Sequence, residues 1–343
     1  MQSIASLVGV RYSPLARANP RGHVESYFLK ANDPDSRRAL WLKTTIYAAP
    51  DDHANGAPGH ALAEAWAIAF DGDRGHVAVK SSMPFERARF DRTSLDVSVG
   101  GVTMRPHESR GAIDSGGRSI EWDLALASDG LPLVHFPHAW MYEAKFPSSK
   151  LVSPFPDLRA TGALVVNGET WNIDRWPGLL GHNWGPCHAP LYAWGHCNVW
   201  EADDGARVDE LVFEGVSGRV KLGPLQAPLM TLLCLRWRGV RYDLNATSNW
   251  LTNRAEVTPR HWSFEGEDRF VRVSGELWAS TDDFVGLFYE NPLGPTTHCL
   301  NSKLARAKLD IEVRGRSPFT VHSRAAALEI GTTDVSHGVR MYV

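Results

Sequence analysis

Residues 120–126 read Ile-Glu-Trp-Asp-Leu-Ala-Leu, with Ile120, Trp122, Leu124 and Leu126 apolar and Glu121, Asp123 and Ala125 between them. Successive side chains of an extended chain point to opposite faces, so this alternation predicts a strand with one buried face. The same period recurs on either side. Leu40, Leu42, Thr44 and Ile46 alternate with Trp41, Lys43 and Thr45, and Glu64, Trp66, Ile68 and Phe70 alternate with alanines. Further strand-like runs are residues 24–30, 77–80, 163–166, 191–201, 208–214, 230–237, 269–278, 284–290 and 308–313. Turn pairs separate them: Asn167-Gly168, Asp71-Gly72, Asp129-Gly130 and Asp204-Gly205. Residues 51–60 read as an exposed loop. Helical periodicity is scarce. The expected fold class is all-β, built from barrels or sandwiches.

The chain has 343 residues, enough for about two domains. We expect two β units, 1–188 and 189–343, with the boundary somewhere in 150–190. Residues 146–156, rich in proline and serine, are expected to be an extended crossover or linker. A net charge of -3 argues against a nucleic-acid partner. The apolar run 222–235 holds two prolines and is too short to cross a bilayer, so no transmembrane segment is expected. The first ten residues lack the basic and apolar regions of a signal peptide. The four cysteines show no paired spacing. A reduced, cytoplasmic protein is the simplest expectation. The 13 Trp, 13 Phe and 8 Tyr supply flat apolar surface for a core or a ligand.

Residues 177–200, PGLLGHNWGPCHAPLYAWGHCNVW, contain no Asp, Glu, Lys or Arg. Their glycines and prolines predict a tight, mostly buried crossing of the chain that leads into a strand. In that strand Tyr192, Trp194, His196, Asn198 and Trp200 fall on one face, and Ala193, Gly195, Cys197 and Val199 on the other. The first face mixes large rings with placed polar groups, as a pocket wall does; a core strand with satisfied polar groups is the alternative. Trp176 stands just before the segment. In Gly181-His182-Asn183-Trp184-Gly185 the glycines permit a sharp turn that presents His182 as an acid or base and Trp184 as a face for a cation. A buried turn with a capping His is the alternative.

Asp209 would share a face with Leu211 and Phe213, as a carboxylic acid of raised pKa or as a surface acid at a strand start; Glu210 and Glu214 would point the other way. Glu290 follows Phe284, Gly286 and Phe288, either as an acid among apolar residues or as a rim charge. Cys187-His188 and His196-Cys197 fit no zinc spacing, and no metal is expected. No common nucleophile-elbow, metalloprotease or nucleotide-binding motif occurs.

Tyr27–Lys30, Ala39–Lys43, Ala65–Phe70, Ser153–Pro156, the Asn167-Gly168 hairpin, Gly181–Gly185 and Tyr192–His196 together resemble one family. It is the lipocalin-like superfamily of carotenoid hydratase (hydroxyneurosporene synthase), the AttH-like bacterial proteins and tocopherol cyclase, with fungal decalin-forming Diels–Alderases as distant relatives in fold. The AttH-like branch is the nearest. The resemblance implies two lipocalin-like β domains packed together with a hydrophobic ligand site near their junction. It implies hydration, cyclisation or isomerisation of an isoprenoid, polyene or similar apolar substrate, without a cofactor. Carotenoid hydratases carry a His-x-Trp pair, matched by His182 and Trp184, and a later Tyr-x-Asp pair. Here His196 and Asn198 stand on a comparable strand, with no acid in the Asp position. The expected proton donors are therefore His182, His196 or Asp209. Trp184, Trp194, Trp176, Trp200, Tyr192, Asn183, Asn198 and Glu290 would line the site. A non-catalytic carrier of a lipophilic ligand is the alternative.

Overall fold

A computed structural model describes residues 7–15, 18–52, 57, 59–128, 130–222 and 225–343, with the backbone alone described at 220–222 and 225–228. Asp129 of the expected Asp129-Gly130 turn and residues 53–56 and 58 of the expected loop at 51–60 lie outside the described residues. The chain forms two large antiparallel sheets. The first comprises β1 (His23–Asn32), β2 (Arg38–Ala48), β3 (Ala61–Asp71), β4 (Val77–Pro84), β5 (Arg89–Phe90), β6 (Val97–Val99), β7 (Val102–Arg105), β8 (Glu108–Ser115), β9 (Arg118–Ala127), β10 (Leu133–Val134), β11 (Lys150–Val166) and β12 (Glu169–Gly185). The second comprises β13 (Leu191–Cys197), β14 (Trp200–Ala202), β15 (Arg207–Val208), β16 (Leu211–Leu222), β17 (Leu225–Trp237), β18 (Val240–Leu244), β19 (Arg254–Thr258), β20 (His261–Glu267), β21 (Val271–Trp278), β22 (Val285–Tyr289), β23 (Thr297–Val313) and β24 (Phe319–Thr332). A single helical turn, Asn249–Thr252, precedes β19.

The strand order of the first sheet is β4-β3-β2-β1-β12-β11-β9-β8-β7-β6-β5, and β4 comes back against β8 and β9. The sheet curls round a core that includes Leu29, Leu40, Ala65, Trp122, Leu124 and Trp176. The second sheet runs β18-β17-β16-β13-β24-β23-β21-β20-β19 round Ala193, Phe213, Trp262, Leu277 and Leu328. The expected turns are well formed: Asn167 and Gly168 both have positive φ, 49° and 86°, as a two-residue hairpin between right-twisted strands needs.

Two expectations are corrected here. Most of residues 146–156 are not a linker, because β11 begins at Lys150. Its register against β12 shifts between Val152 and Phe155 and again between Phe155 and Leu158, so Pro154 and Pro156 sit at irregular positions where a missing N–H is tolerated. Residues 181–185 are not a sharp turn. They continue β12, with Tyr27 opposite His182 and Phe28 opposite Gly181. Gly181 is needed for close approach, since a Cβ there would lie 2.3 Å from the Phe28 ring. The chain leaves the first sheet at Gly185 and enters the second at Leu191.

The two sheets pack through their outer faces. Trp41, Trp66, Ile68 and Phe70 from β2 and β3 meet Val285, Leu287, Tyr289 and Cys299 from β22 and β23. Phe28 and Leu179 meet Trp194 and Ala327. The alanines of β3 face the first core instead.

Candidate active site at the junction of the two sheets

β13 carries its small face into the second core. Ala193 and Cys197 are buried there, and a Cβ at Gly195 would lie 2.6 Å from Leu277. Its other face looks at the first sheet. Trp194 meets Phe28 edge-on, His196 Nε2 donates to the Pro156 carbonyl at 2.8 Å, and Asn198 Nδ2 donates to Asp157 at 2.8 Å and to the Gly178 carbonyl at 3.1 Å. Tyr192 lies against Gly331, where a Cβ would come within 1.8 Å of its ring. Trp200 does not share this face: β13 ends at Cys197, and Trp200 re-enters in β14, inside the second core. Trp176 is likewise a core residue, of the first sheet.

Trp194 leads to Glu214, which the alternation places on the face opposite Leu211 and Phe213 but which was not among the candidate site residues. Leu211 and Phe213 face the second core, so Glu214, one position on, points to the junction and is fully buried. Its Oε1 accepts from Trp194 Nε1 at 3.0 Å and from Ser153 Oγ of β11 at 2.8 Å, while Oε2 has no partner. Burial pushes the Glu214 carboxyl up to about 7, against the hydrogen bonds from Trp194 and Ser153 that favour its anion. His135 lies with Nε2 3.8 Å from Oε1, and burial holds that imidazole down at about 3, so it is neutral. Phe136, Tyr142, Val152, Trp184 and Leu232 form an apolar cluster at this end of the junction, with Val216 packed against it. The segment that carries His135 is pinned over it. The Tyr142 hydroxyl accepts from His135 N and donates to the Leu151 carbonyl, both at 3.0 Å, and Lys150 Nζ donates to the carbonyls of Met141 and Ala144. That segment also exposes Trp140 and Phe146. The sequence signal for Glu214 is Val212 and Val216 at i±2, which make both faces of β16 apolar.

His182 is buried, and its two nitrogens lie 2.9 Å from the Leu7 carbonyl and 2.8 Å from Glu25 Oε1. Both partners are acceptors, so the ring is held from both sides. It stacks on Tyr27 at 4.1 Å between centroids. Glu25 also accepts from His23 Nε2 and from the backbone N–H groups of Arg11 and Tyr12. Burial alone would raise the Glu25 carboxyl, but the hydrogen bonds from His182 and His23 hold it at about 2. This closed network ties residues 7–12 to β1 and β12. Trp184 already carries a protein cation, Arg11, 5.2 Å from its ring centroid. Asn183 is half-buried beside them. His196, kept neutral by burial and by the Lys30 charge, has one ring nitrogen without a partner.

Asp209 is exposed in the turn before β16 and does not share the buried face of Leu211 and Phe213; Glu290 is an exposed rim charge after β22. Asp209 lines an open cleft of about 350 Å³ with Asn198, Asp157, Arg159, Arg175 and Arg207. The cleft reaches the junction but is polar, where an apolar pocket was expected. Among the described residues no group of three or more His, Cys, Asp or Glu side chains is placed to hold a metal ion, and no helix is long and apolar enough to cross a membrane.

Residues 154–332 match the model of the tocopherol cyclase-like family. An uncharacterized protein of Mycobacterium tuberculosis is 27% identical over 308 residues, 86% of this chain and 82% of that protein. The fold is shared with kievitone hydratase from Nectria haematococca, at a TM-score of 0.51 and 11% identity over 96% of this chain and 95% of that one. It is also shared with a putative AttH protein from Nitrosomonas europaea, at a TM-score of 0.51 and 14% identity over 94% of this chain and 98% of that one.

Proposed function

Because the chain belongs to the tocopherol cyclase-like family, we propose that it is a hydratase, cyclase or isomerase that works by acid–base chemistry on a hydrophobic small molecule at the junction of two domains, 1–188 and 189–343. The observation that carries this is Glu214, a buried carboxylic acid between the two sheets whose proton affinity is tuned to neutral pH and whose Oε2 is uncommitted. Trp194 and Ser153 fix Oε1, which leaves Oε2 to present the proton. Glu214 protonates a double bond or carbonyl of the substrate. Water then adds, or a hydroxyl of the substrate adds, or a neighbouring C–H proton is lost, and the carboxylate takes back the proton released. No cofactor enters this balance. In this reading Trp194 and Asn198 line the site along the junction, and Asp209 stands at the rim of the cleft. His182 and His196 act as positioning residues, His182 through Glu25 and the segment 7–12, His196 through Pro156. Trp140 and Phe146 offer an apolar approach beside the Glu214 end.

The test uses the whole protein without added cofactor. Isoprenoid, polyene and prenylated phenolic compounds are incubated with parent and Glu214→Gln, and products are followed by mass spectrometry. Gain of 18 mass units, or rearrangement at constant mass, with the parent but not the variant is the expected result. Stoichiometric binding of a lipid that both proteins return unchanged would replace the enzyme by a carrier.

A further inference from the structure

A second cluster of buried polar groups, none of them used above, lies where β2 and β3 face β22, β23 and β24. Lys43 and Trp66 are cross-strand neighbours in the first sheet, and Asn301 and Glu329 in the second. The Lys43 ammonium is held by rings: it lies 3.7 Å from the Tyr289 centroid, 5.7 Å from Trp41 and 6.0 Å from Trp66. Lys303 Nζ lies 5.7 Å from Trp41 on the other side and is paired with Glu329 Oε1 at 2.8 Å. Round these cations four further donors are buried without a hydrogen bond of good geometry: Trp41 Nε1, Trp66 Nε1, the Tyr289 hydroxyl and Asn301 Nδ2. The Cys299 thiol is beside that hydroxyl, and Glu329 and Tyr192 are close to it. Glu329 is already engaged, by Lys303 and by Cys299 Sγ at 3.7 Å. Nearly all buried polar groups in native proteins are paired, so a concentration of unpaired donors in one place indicates missing acceptors. The donors are interleaved with the flat faces of Trp41, Trp66 and Tyr289.

We propose that this cluster is a binding site for a small aromatic carboxylate, whose oxygens supply the acceptors that Lys43, Trp66 and Tyr289 lack and whose ring packs among theirs. The site is independent of Glu214 and of the activity proposed above. Burial lowers the Lys43 ammonium to about 8, with Glu329, Cys299 and Glu64 acting to raise it and Lys80 to lower it. His188 also faces it, its ring tilted against Tyr289 at 4.8 Å between centroids, and it is held neutral by burial and by the Lys43 charge. An anion that needs the Lys43 charge therefore binds more weakly above pH 8.

The full chain is titrated calorimetrically with benzoate, benzyl alcohol, acetate and chloride at pH 7 and pH 9. Benzoate should bind at one site and weaken at pH 9, while benzyl alcohol, acetate and chloride bind at least tenfold more weakly. Lys43→Met should reduce benzoate affinity at least tenfold and Trp66→Phe severalfold, each judged on protein that melts cooperatively, while Glu214→Gln leaves it unchanged. Benzoate that does not bind, or binds equally to Lys43→Met and Trp66→Phe, overturns the proposal. So does acetate or chloride binding as tightly as benzoate, which would mark an inorganic-anion or water site.

Discussion

Replacing Glu214 by Gln separates a proton-holding acid from an ordinary buried carboxylate. The carboxyl moves from an ordinary 4.5 to about 7 on folding. A folded-state value above the unfolded one means that the folded protein binds the proton more tightly. Its stabilising contribution is complete below pH 4.5, declines as pH rises through this window and is lost above pH 7. At 1.36 kcal/mol per tenfold change in proton affinity, the whole window amounts to about 3 kcal/mol, most of it between pH 5 and pH 8. Gln keeps the shape and can still accept from Trp194 and Ser153, but it does not titrate. Any cost of its amide at the Oε2 position is the same at both pH values and cancels in the difference. Urea unfolding of parent and variant at pH 5 and pH 8 measures this directly. The variant should gain about 2–3 kcal/mol on the parent between the two pH values, and should lose about 10²–10⁴-fold in turnover. Identical pH dependence in the two proteins would show that Glu214 holds no proton at neutral pH, and the acid role would fall with it.

Trp194→Phe keeps the packing against Phe28 but removes the N–H that favours the Glu214 anion. The alkaline limb of the pH–rate profile should move to higher pH, and an unmoved limb contradicts the assignment. His182→Gln leaves Glu25 short of a donor. It should cost about 1–3 kcal/mol, as a buried group left without a hydrogen-bond partner does, and limited proteolysis should then cut within residues 7–12; a variant as stable as the parent refutes the network. Glu25 is held at about 2, below its ordinary 4.5, so its contribution is present above pH 4.5 and lost as pH falls towards 2. Acid unfolding of Glu25→Gln should lack that component of the parent's pH dependence. Gly178→Ala would place a Cβ 2.3 Å from the Lys30 carbonyl and should destabilise by about 1–3 kcal/mol through the β1–β12 ladder, read as a lower thermal midpoint.

The all-β class was legible in the sequence because period-two alternation is a local property of extended chain, and the alternation at 120–126 becomes β9. The Asn167-Gly168 hairpin was legible for the same reason: only such residues take positive φ at little cost. The aromatic face of 192–198 was found, with the hydrogen-bonding residues among its rings. What each face met was not legible. In β3 the large residues Trp66, Ile68 and Phe70 pack outward on the second sheet and the alanines fill the first core, which the alternation alone did not decide. A strand buried on both faces gives periodicity no polar side from which to choose. Glu214 was put on the correct face, opposite Leu211 and Phe213, but its burial at the junction was hidden by the same ambiguity, β16 being apolar on both faces. His182 and Trp184 were singled out by their glycine-rich setting. Whether they meet a ligand or Glu25 and Arg11 depends on contacts 157 and 173 residues away in the chain, which no local pattern encodes. The sequence determined that strands form and where they turn. Only packing one curled sheet on the other decided which side chains lie in a core, which lie at the junction, and which carboxyl is left holding a proton.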